Sequence, residues 1–315
     1  MTGRIVTFGE ALATASVDVT GSLTRATVAG AELNTAVGLA RLGHDVAWAS
    51  RLGDDAFAGL VRETLRAEGI DDRLLVAAPG EQTGLIVKQR LGGDDIRSEH
   101  YRATSAASRL RSDDLPAAAL DGAGWLHATC ITPALGSGPK GLFENVLHEA
   151  SMRGIPISLD ANHRPQLMSE DELRAVVDDW LEVVDTFFCN EDEARILTGS
   201  TSTDAAVEEL ARRGPRVVVV KLGGRGAMAG DADRRRFTPA SAVGEPTNPV
   251  GAGDAFAAAW ISCTLRGYTV DEALPVAAWC AARVVADPGD HDGFPRRAEL
   301  DAFEAGQREL AEAGR

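Results

Sequence analysis

Short apolar runs alternate with longer amphipathic stretches along most of the chain. The short runs have the length and composition of β-strands. They lie at residues 5–8, 46–49, 125–128, 155–159, 186–189 and 216–221. Residues 217–220 are valines without an intervening polar residue, which is typical of a strand whose two faces are both covered. We therefore expect a sheet with a helical layer on each side.

The stretches between these strands carry apolar residues at three- and four-residue spacing, as amphipathic helices do. They lie at residues 33–42, 57–67, 142–152, 170–181, 205–212, 255–266 and 272–286. Strands that alternate with helices predict an α/β fold, in which three α/β/α layers form around a doubly wound, mostly parallel sheet. Sheets of this kind bind ligands beyond the carboxyl ends of their strands.

One region breaks this alternation and predicts a second, smaller sheet. Residues 84–90 and 96–102 are strand-like runs with no helix between them, and the glycine-rich turn at 92–95 suits a hairpin. Residues 14–28, before the first helix, are also extended in character. We expect these segments to pair and to cover a site as a small β-sheet lid. The chain is then one domain, 1–315, with lid segments near 12–30 and 83–104.

Composition excludes several classes of protein. The 315 residues are 44% hydrophobic and 25% charged, as in globular proteins, and no apolar segment approaches the roughly 20 residues that span a bilayer. The formal net charge of −15 disfavours nucleic acid and anionic membranes as partners. The amino terminus lacks the pattern of a secretory leader, so we expect a cytoplasmic protein. The four cysteines are far apart and apolar in context, which predicts buried thiols.

The strongest chemical motif is VGAGDAF at residues 250–256. The residues from Ala255 onward predict a helix, so the backbone N–H groups of Gly251, Ala252 and Gly253 are expected to be free at its start. A helix start attracts anions, and a phosphate fits there. Asp254, kept ionised by the same helix start, is placed to accept a proton from an attacking hydroxyl. Taken alone, the motif is better explained as a glycine-rich turn followed by an ordinary carboxylate at a helix start, and the rest of the chain favours the catalytic role.

Two further helix starts carry candidate ligand-binding residues. Gly30 permits close approach of a ligand to the backbone, and Asn34 offers a donor and an acceptor for sugar hydroxyls. Asn190 and Glu193 follow a buried strand, share one helix face and are candidates to orient hydrated Mg²⁺ beside a triphosphate. The same spacing is that of a capping box, and both roles are compatible.

Loops after other strands supply the remaining candidates. Lys221, Gly223 and Gly226 follow the valine strand and form either a simple turn or the edge of a nucleotide site. Arg102 ends the hairpin and Arg164 follows another strand, so the two guanidinium groups are candidates to meet one carboxylate. The loop at 288–293, which includes His291, lacks companion histidines and favours a turn that lines a nucleotide pocket.

The absence of three common motifs further narrows the classes of enzyme to which the chain could belong. The chain has no GxxxxGK[ST] loop, no GxGxxG after its first strand and no GxSxG elbow. These absences argue against a P-loop enzyme, a dinucleotide-binding dehydrogenase and an α/β-hydrolase.

These motifs together resemble the ribokinase-like carbohydrate kinase family over essentially the whole chain. Residues 250–256 are similar to the carboxyl-terminal signature of the family, and residues 30–43 are similar to the amino-terminal one. Within the family the likeness is greatest to 2-keto-3-deoxygluconate kinases. The stretches that carry it are GAELN at 30–34, GLARLG at 38–43, ITPAL at 131–135, SLDANHR at 158–164 and GDHDG at 289–293.

The resemblance implies an ATP- and Mg²⁺-dependent sugar kinase with a lid that often forms a dimer contact. It implies that Asp254 is the general base, that residues 251–253 form an anion hole and that Asn190 and Glu193 serve Mg²⁺ and phosphates. It also implies that Gly30 and Asn34 hold the sugar, and that Arg102 and Arg164 meet the carboxylate of a keto acid.

The chain departs from the family pattern at two places. Asn248 and Pro249 stand where the family commonly has Asp-Thr at a monovalent-cation site, which puts potassium dependence in doubt. Ile86 and His100 stand where lids of the subfamily present tyrosines to the sugar. Other readings therefore stay open: a kinase of a neutral sugar such as fructose or ribose, or of a nucleoside, and a non-catalytic sugar-binding regulator.

Overall fold

The computed structural model describes residues 3–92, 95–242, 249–287 and 292–313. Within these residues the strands are β1 (Arg4–Phe8), β2 (Leu12–Val17), β3 (Leu23–Ala29), β4 (Val46–Leu52), β5 (Leu75–Ala77), β6 (Gly84–Gly92), β7 (Asp95–Tyr101), β8 (Ala123–Thr129), β9 (Ile157–Asp160), β10 (Thr186–Asn190), β11 (Val217–Lys221), β12 (Ala227–Gly230) and β13 (Arg235–Thr238). All the strands expected from the apolar runs are present.

The helices of the same residues alternate with most of these strands. They are α1 (Ala31–Arg41), α2 (Ala56–Glu68), α3 (Ile131–Ala134), α4 (Ser137–Met152), α5 (Glu170–Trp180), α6 (Glu191–Thr198), α7 (Thr203–Arg212), α8 (Ala252–Leu265), α9 (Val270–Val285) and α10 (Arg297–Ala313). Helix α4 begins five residues before its expected start, because Gly136 and Ser137 open it ahead of the amphipathic stretch.

The described strands form one large and one small sheet. The large sheet has the order β13-β12-β11-β10-β9-β8-β1-β4-β5. Its pairings are parallel from β11 to β5, and β12 and β13 add an antiparallel edge. The expected doubly wound, mostly parallel sheet is thereby confirmed.

The valine strand shows how both faces of the large sheet are covered. Val218 and Val220 belong to a core that includes Leu210 of α7, whereas Val219 packs on the opposite side with Phe256 of α8. Burial of each such side chain contributes about 1.5–3 kcal/mol, so a strand without polar positions is stable only between two helical layers. Consequently α8 and its first turn are held against the middle of the sheet.

The small sheet has the order β3-β2-β6-β7. Strand β2 pairs antiparallel with β3 and parallel with β6, and β6 pairs antiparallel with β7. The hairpin and the extended segment of the sequence therefore join as expected, with sheet residues at 12–29 and 84–101. The chain enters this sheet directly from β1 and returns directly to α1, which places it beside the carboxyl end of β1.

Other features of the described residues agree with the composition. All four cysteines are buried and unpaired. In these residues no helix combines the length and apolar character needed to cross a bilayer.

Candidate active site

The candidate residues converge at the carboxyl ends of three neighbouring strands. Asp160 is the last residue of β9, Asn190 of β10 and Lys221 of β11. Register pairs Asp160 with Phe188 and Asn190 with Lys221, so the three strand ends lie side by side. The first turn of α8 faces this edge, since Lys221 of β11 approaches Gly253.

Asp254 lies in the first turn of α8, which begins after Gly251 in a left-handed conformation. The carboxylate is buried, with 9% of the residue exposed, and its Oδ2 accepts a hydrogen bond of 2.8 Å from Nδ2 of Asn34. Burial raises the pKa of Asp254 to about 7, and the negative charge of Asp160 raises it too. The Asn34 hydrogen bond and the positive charges of Lys221 and Arg164 oppose that rise.

This pKa corrects one expectation. The helix start does not by itself keep Asp254 ionised, because removal from water disfavours the charged carboxylate more than its favourable neighbours stabilise it. A pKa near neutrality is nevertheless suited to a general base, which must both accept a proton and exist partly in the ionised form.

The backbone amides at the start of α8 are only partly free. Ala252 donates to the carbonyl oxygen of Pro249 at 3.3 Å, so the expectation that its N–H is available was wrong. The turn at residues 249–252 uses this amide to close itself. Gly253 and Asp254 have no backbone acceptor among the described residues, and their amides point to the same helix start. The predicted donor Gly251 likewise has no acceptor among the described residues, whereas Asp254 was not predicted as an amide donor. The anion-binding potential of this turn therefore rests on the amides of Gly251, Gly253 and Asp254.

Lys221 lies within a group of acids. Its Nζ is 2.5 Å from Oδ2 of Asp160, and Asp160 is 1% exposed. Burial lowers the pKa of the Lys221 ammonium, but the negative charges of Asp160 and Glu193 outweigh burial and raise that pKa above its usual value. Lys221 is therefore fully charged at neutral pH.

Glu193 organises the loops around this group. Its Oε2 accepts from the Asn190 backbone N–H and its Oε1 accepts from the His163 backbone N–H, both at 2.7 Å. Asn190 in turn accepts from the Glu193 N–H at 2.9 Å, which completes the expected capping box. Burial and the charge of Asp160 raise the pKa of Glu193.

Asp160 also orders the loop that carries Arg164. Its Oδ1 accepts from the Asn162 N–H at 3.2 Å, and Asn162 has a φ of 34°, which is uncommon for a residue other than glycine. Together with the Glu193 to His163 hydrogen bond, this contact determines the path of residues 160–164. Asp160 was not predicted to order this loop, although its position at the end of a strand was visible in the sequence.

Gly30 lies at the return from the small sheet to α1. Its φ is 143°, and a Cβ at this position would overlap the carbonyl oxygen of Glu10. The close approach expected for Gly30 is thus present, and part of it is to the protein itself. Asn34 follows one turn later, and its Oδ1 is buried without a hydrogen-bond partner in the described residues.

Arg102 forms an ion pair that was not predicted from the sequence. The guanidinium Nε donates to Oε2 of Glu10 at 3.0 Å, and Nη2 pairs with Oε1 of the same carboxylate. Glu10 is 1% exposed and lies between β1 and β2, whereas Arg102 directly follows β7. The pair therefore joins two connections between the large and small sheets. Glu10 had no recognisable signal, because its partner is distant along the sequence.

Arg164 differs from Arg102 in being exposed. Within the part of the chain that the structure describes, its guanidinium makes no hydrogen bond or ion pair, although its backbone carbonyl oxygen accepts from the Leu167 and Met168 amides. Its positive charge nevertheless contributes to lowering the pKa of Asp254 and of His100 on β7. The Arg164 guanidinium is thus within electrostatic range of both α8 and the small sheet. His100 is exposed and pairs in register with Ile86, and burial is the first cause of its lowered pKa.

A second buried acid, Glu32 in α1, was also missed. Its Oε1 accepts hydrogen bonds from Thr129 at 2.7 Å and Thr132 at 2.9 Å, whereas Oε2 has no partner in the described residues. Burial raises the pKa of Glu32 to about 7. These contacts fix the start of α1 to the carboxyl end of β8.

The remaining candidates occupy turns or lie outside the described residues. Gly223 and Gly226 both have positive φ in the turn that joins β11 to β12, which confirms the simple turn role. Their predicted contact with nucleotide stays a prediction. His291 and Asn248 lie outside the described residues, and so do Gly93 and Asp94 of the predicted hairpin turn.

Comparison with known proteins finds relatives along nearly the whole chain. The family described as pfkB family carbohydrate kinase matches residues 3–297. A 2-dehydro-3-deoxygluconokinase of Bacillus subtilis is 33% identical over 310 residues, which cover 96% of each chain. The crystal structure of a PfkB protein from Polaromonas sp. JS666 is 34% identical, with a TM-score of 0.85 over 96% of this chain and 100% of that one. A fructokinase from Vibrio cholerae, with fructose, ADP and calcium bound, is 26% identical, with a TM-score of 0.82 over 96% of this chain and 99% of that one.

Proposed function

The chain belongs to the pfkB family of carbohydrate kinases, and we propose that it transfers the γ-phosphoryl group of ATP to a primary hydroxyl of a sugar acid, 2-keto-3-deoxygluconate. This compound is the 2-dehydro-3-deoxygluconate for which the Bacillus subtilis relative is named. One observation carries the catalytic part of the proposal: Asp254 is a buried carboxylate with a pKa of about 7, beside helix-start amides that have no acceptor among the described residues.

In the proposed step, the hydroxyl oxygen of the sugar attacks the γ-phosphorus. A new P–O bond forms, the bond from the γ-phosphorus to the β,γ-bridging oxygen breaks, and ADP leaves with that electron pair. Asp254 accepts the hydroxyl proton on its carboxylate. The amides of Gly253 and Asp254 stabilise negative charge on the transferred group.

The nucleotide and Mg²⁺ are proposed to lie along the strand ends. Mg²⁺ prefers oxygen ligands and retains water, and the buried carboxylate of Glu193 supplies oxygen atoms at this edge. Each Glu193 oxygen already accepts one backbone hydrogen bond, which suits contact through water better than direct ligation. Asn190, Lys221, Gly223, Gly226 and His291 are the residues that we propose to line the nucleotide site, and Mg²⁺ supplies charge neutralisation when bound.

The preference for an acid is supported by Arg164. Its guanidinium is exposed and unengaged in the described residues, so it is available for a substrate carboxylate, whereas Arg102 is paired with Glu10. We therefore assign Arg164 the main contact with the carboxylate and Arg102 a supporting one. Gly30, Asn34 and His100 are proposed to contact the rest of the sugar, and the small sheet is proposed to act as the lid that excludes water.

The alternative is a kinase of a neutral sugar. It is favoured by the likeness to the Vibrio cholerae fructokinase and by Ile86 and His100, which stand where tyrosines were expected. ADP release measured with 2-keto-3-deoxygluconate, fructose, ribose and nucleosides separates these functions. The proposal predicts the highest kcat/KM for the sugar acid, and a higher value for fructose would replace it. Absence of ADP release with every acceptor would favour a sugar-binding regulator.

Two variants test the assigned residues in the same assay. Asp254→Asn should retain nucleotide binding and lose most of kcat, because the amide cannot accept the proton. Arg164→Met should raise KM far more for the sugar acid than for fructose. Near-normal kcat in Asp254→Asn would contradict the role of Asp254 as the base. An equal rise in KM for the sugar acid and for fructose in Arg164→Met would contradict the contact with the substrate carboxylate.

A homodimer through the small sheet is a further part of the proposal. Leu23 of β3 and Tyr101 of β7 are 64% and 58% exposed. Apolar side chains on a small sheet favour pairing with a second copy. Sedimentation equilibrium of the wild type and of Leu23→Glu tests this, since a monomeric wild type would contradict it.

A further inference from the structure

Lys221 occupies a position between the acids of the strand ends and the start of α8. One N–H of its ammonium is used by Asp160, at 2.5 Å. The Lys221 side chain is 17% exposed, compared with 2% for its partner, so the ion pair leaves part of the lysine side chain accessible. Two N–H bonds of the ammonium therefore remain for other acceptors.

Gly253 shows where the ammonium reaches. A Cβ built on Gly253 would lie 3.2 Å from Nζ of Lys221, which is too close for comfortable packing. Glycine within a helix costs about 0.5–1 kcal/mol relative to alanine, yet here it leaves room for the ammonium against the first turn. The ammonium is therefore adjacent to Gly253, whose amide has no backbone acceptor among the described residues.

The carboxylates around this turn must be offset by a positive charge if a triphosphate is to bind there. Asp160, Glu193 and Asp254 all interact electrostatically with Lys221, and the whole chain has a net charge of −15. A triphosphate brought to this turn would add negative charge to a group of carboxylates. A fixed ammonium beside the helix start offsets part of this negative charge at the point where the phosphoryl group is transferred.

We propose that Lys221 is a catalytic residue that binds the γ-phosphoryl group during transfer, and that Asp160 is the positioning residue that holds its ammonium beside Gly253. This inference rests on the proposed function and deepens it, because it separates Lys221 from residues that only line the nucleotide site. The charge of the transferred group is spread over its equatorial oxygens in the transition state. Lys221 donates to those oxygens, while Asp254 handles the proton.

The decisive measurement compares two nucleotides in Lys221→Met. ADP lacks the γ-phosphoryl group, whereas the non-hydrolysable β,γ-imido analogue of ATP retains three phosphates. By calorimetry, we expect the variant to bind the imido analogue at least about tenfold more weakly and ADP within about twofold of wild type. We expect kcat to fall about 100-fold or more, as for loss of one preorganised donor. Equal weakening for both nucleotides would show a merely structural lysine and overturn the inference.

A second variant covers the possibility that Lys221→Met does not fold. Gly253→Ala keeps every charge and has a helix-compatible residue, but its methyl group would lie 3.2 Å from the ammonium, which must then shift by a few tenths of an ångström. We expect it to reduce kcat and imido-analogue affinity while leaving ADP affinity unchanged. Lys140→Met is the matched control, because Lys140 is an exposed lysine paired with Glu144 on α4 and should leave all values unchanged. Unchanged kcat in a folded Gly253→Ala protein would overturn the inference.

The role of Asp160 is tested by a double-mutant cycle. If Asp160 acts through Lys221, Asp160→Asn should lower kcat less than Lys221→Met, and the double variant should match Lys221→Met alone. Additive losses would contradict the positioning role. The controls also separate this inference from the proposed function: if Asp254→Asn is inactive and Lys221→Met is as active as wild type, only the inference fails. If wild type phosphorylates no acceptor, the proposed function fails, whereas the nucleotide comparison still decides the γ-phosphoryl contact.

Discussion

The Nδ2 atom of Asn34 donates a hydrogen bond of 2.8 Å to Oδ2 of Asp254, and the two residues are 220 positions apart. The bond joins the first turn of α1 to the first turn of α8, at a buried point between the helices. An amide donor stabilises the ionised carboxylate, because a protonated oxygen accepts more weakly. Asn34 therefore influences the protonation of the proposed base as well as its position.

The pH dependence of the reaction should report Asp254. Because the base must be ionised and its pKa is raised to about 7, kcat/KM should fall as pH decreases through about 7, by about tenfold for each further unit. Above that pH the ionised form dominates and this limb should level off. Initial rates between pH 5 and pH 9, with circular dichroism at each pH as a folding control, measure the profile. Constant kcat/KM down to pH 5 would contradict a base with this pKa.

Asn34→Ala should move the same limb. Loss of the donor removes an interaction that lowers the Asp254 pKa, so the midpoint should lie at higher pH than in wild type. A hydrogen bond to a charged group contributes about 1.5–3 kcal/mol, so kcat/KM at pH 6.5 should fall about tenfold or more. Activity should recover partly at pH 9. An unshifted midpoint with a uniformly lower rate would show that Asn34 acts only on the sugar.

Gly30→Ala should be severely damaging. The residue has a φ of 143°, and a Cβ would overlap the Glu10 carbonyl oxygen, so the connection between β3 and α1 must move. We expect a loss of sugar affinity together with a lower melting temperature, in thermal denaturation and in KM. Gly59→Ala is the matched control, because Gly59 is exposed in α2 with open space around it. That control should be neutral or more stable by about 0.5–1 kcal/mol.

The pair of Glu10 and Arg102 should contribute strongly to stability when one partner is removed. Both side chains are nearly buried, and an unpaired buried charge costs about 3–5 kcal/mol. Glu10→Ala should lower the free energy of unfolding by about that amount in urea denaturation. The double variant Glu10→Ala/Arg102→Met should recover part of the loss, because no unpaired charge remains.

A surface ion pair is the control for this measurement. Glu144→Ala removes the partner of exposed Lys140, and exposed pairs contribute only about 0–1 kcal/mol. If Glu10→Ala were no more destabilising than Glu144→Ala, the interaction between the two sheet connections would be weak. Arg102 would then be available to the substrate, and the assignment of the main carboxylate contact to Arg164 would need revision.

Local sequence patterns were sufficient to predict most helices and strands and the part of the site that contains Asp254. Apolar periodicity predicted most strands and most helices, because a helix buries one apolar stripe and a strand of a covered sheet buries both faces. It did not predict the helices α3 and α10 or the strands β5, β12 and β13. The motif at 250–256 identified Asp254 because a glycine-rich turn before an apolar helix is visible along the chain itself.

Those local patterns could not predict which charged residues form pairs. Glu10 and Arg102 lie 92 positions apart, and Asp160 and Lys221 lie 61 apart, so nothing local marks them as pairs. The raised pKa of Asp254 likewise depends on burial beneath α1 and on Asp160, neither of which the motif contains.

The sequence by itself determined the α/β layering, the small sheet and the position of the carboxylate at a helix start, because hydrophobic period and glycine placement act over a few residues. Only the tertiary structure decided which charges are already neutralised, which amides are free and which guanidinium remains available to a ligand. Those properties depend on distance and exclusion of water between strands that the chain connects only over long separations.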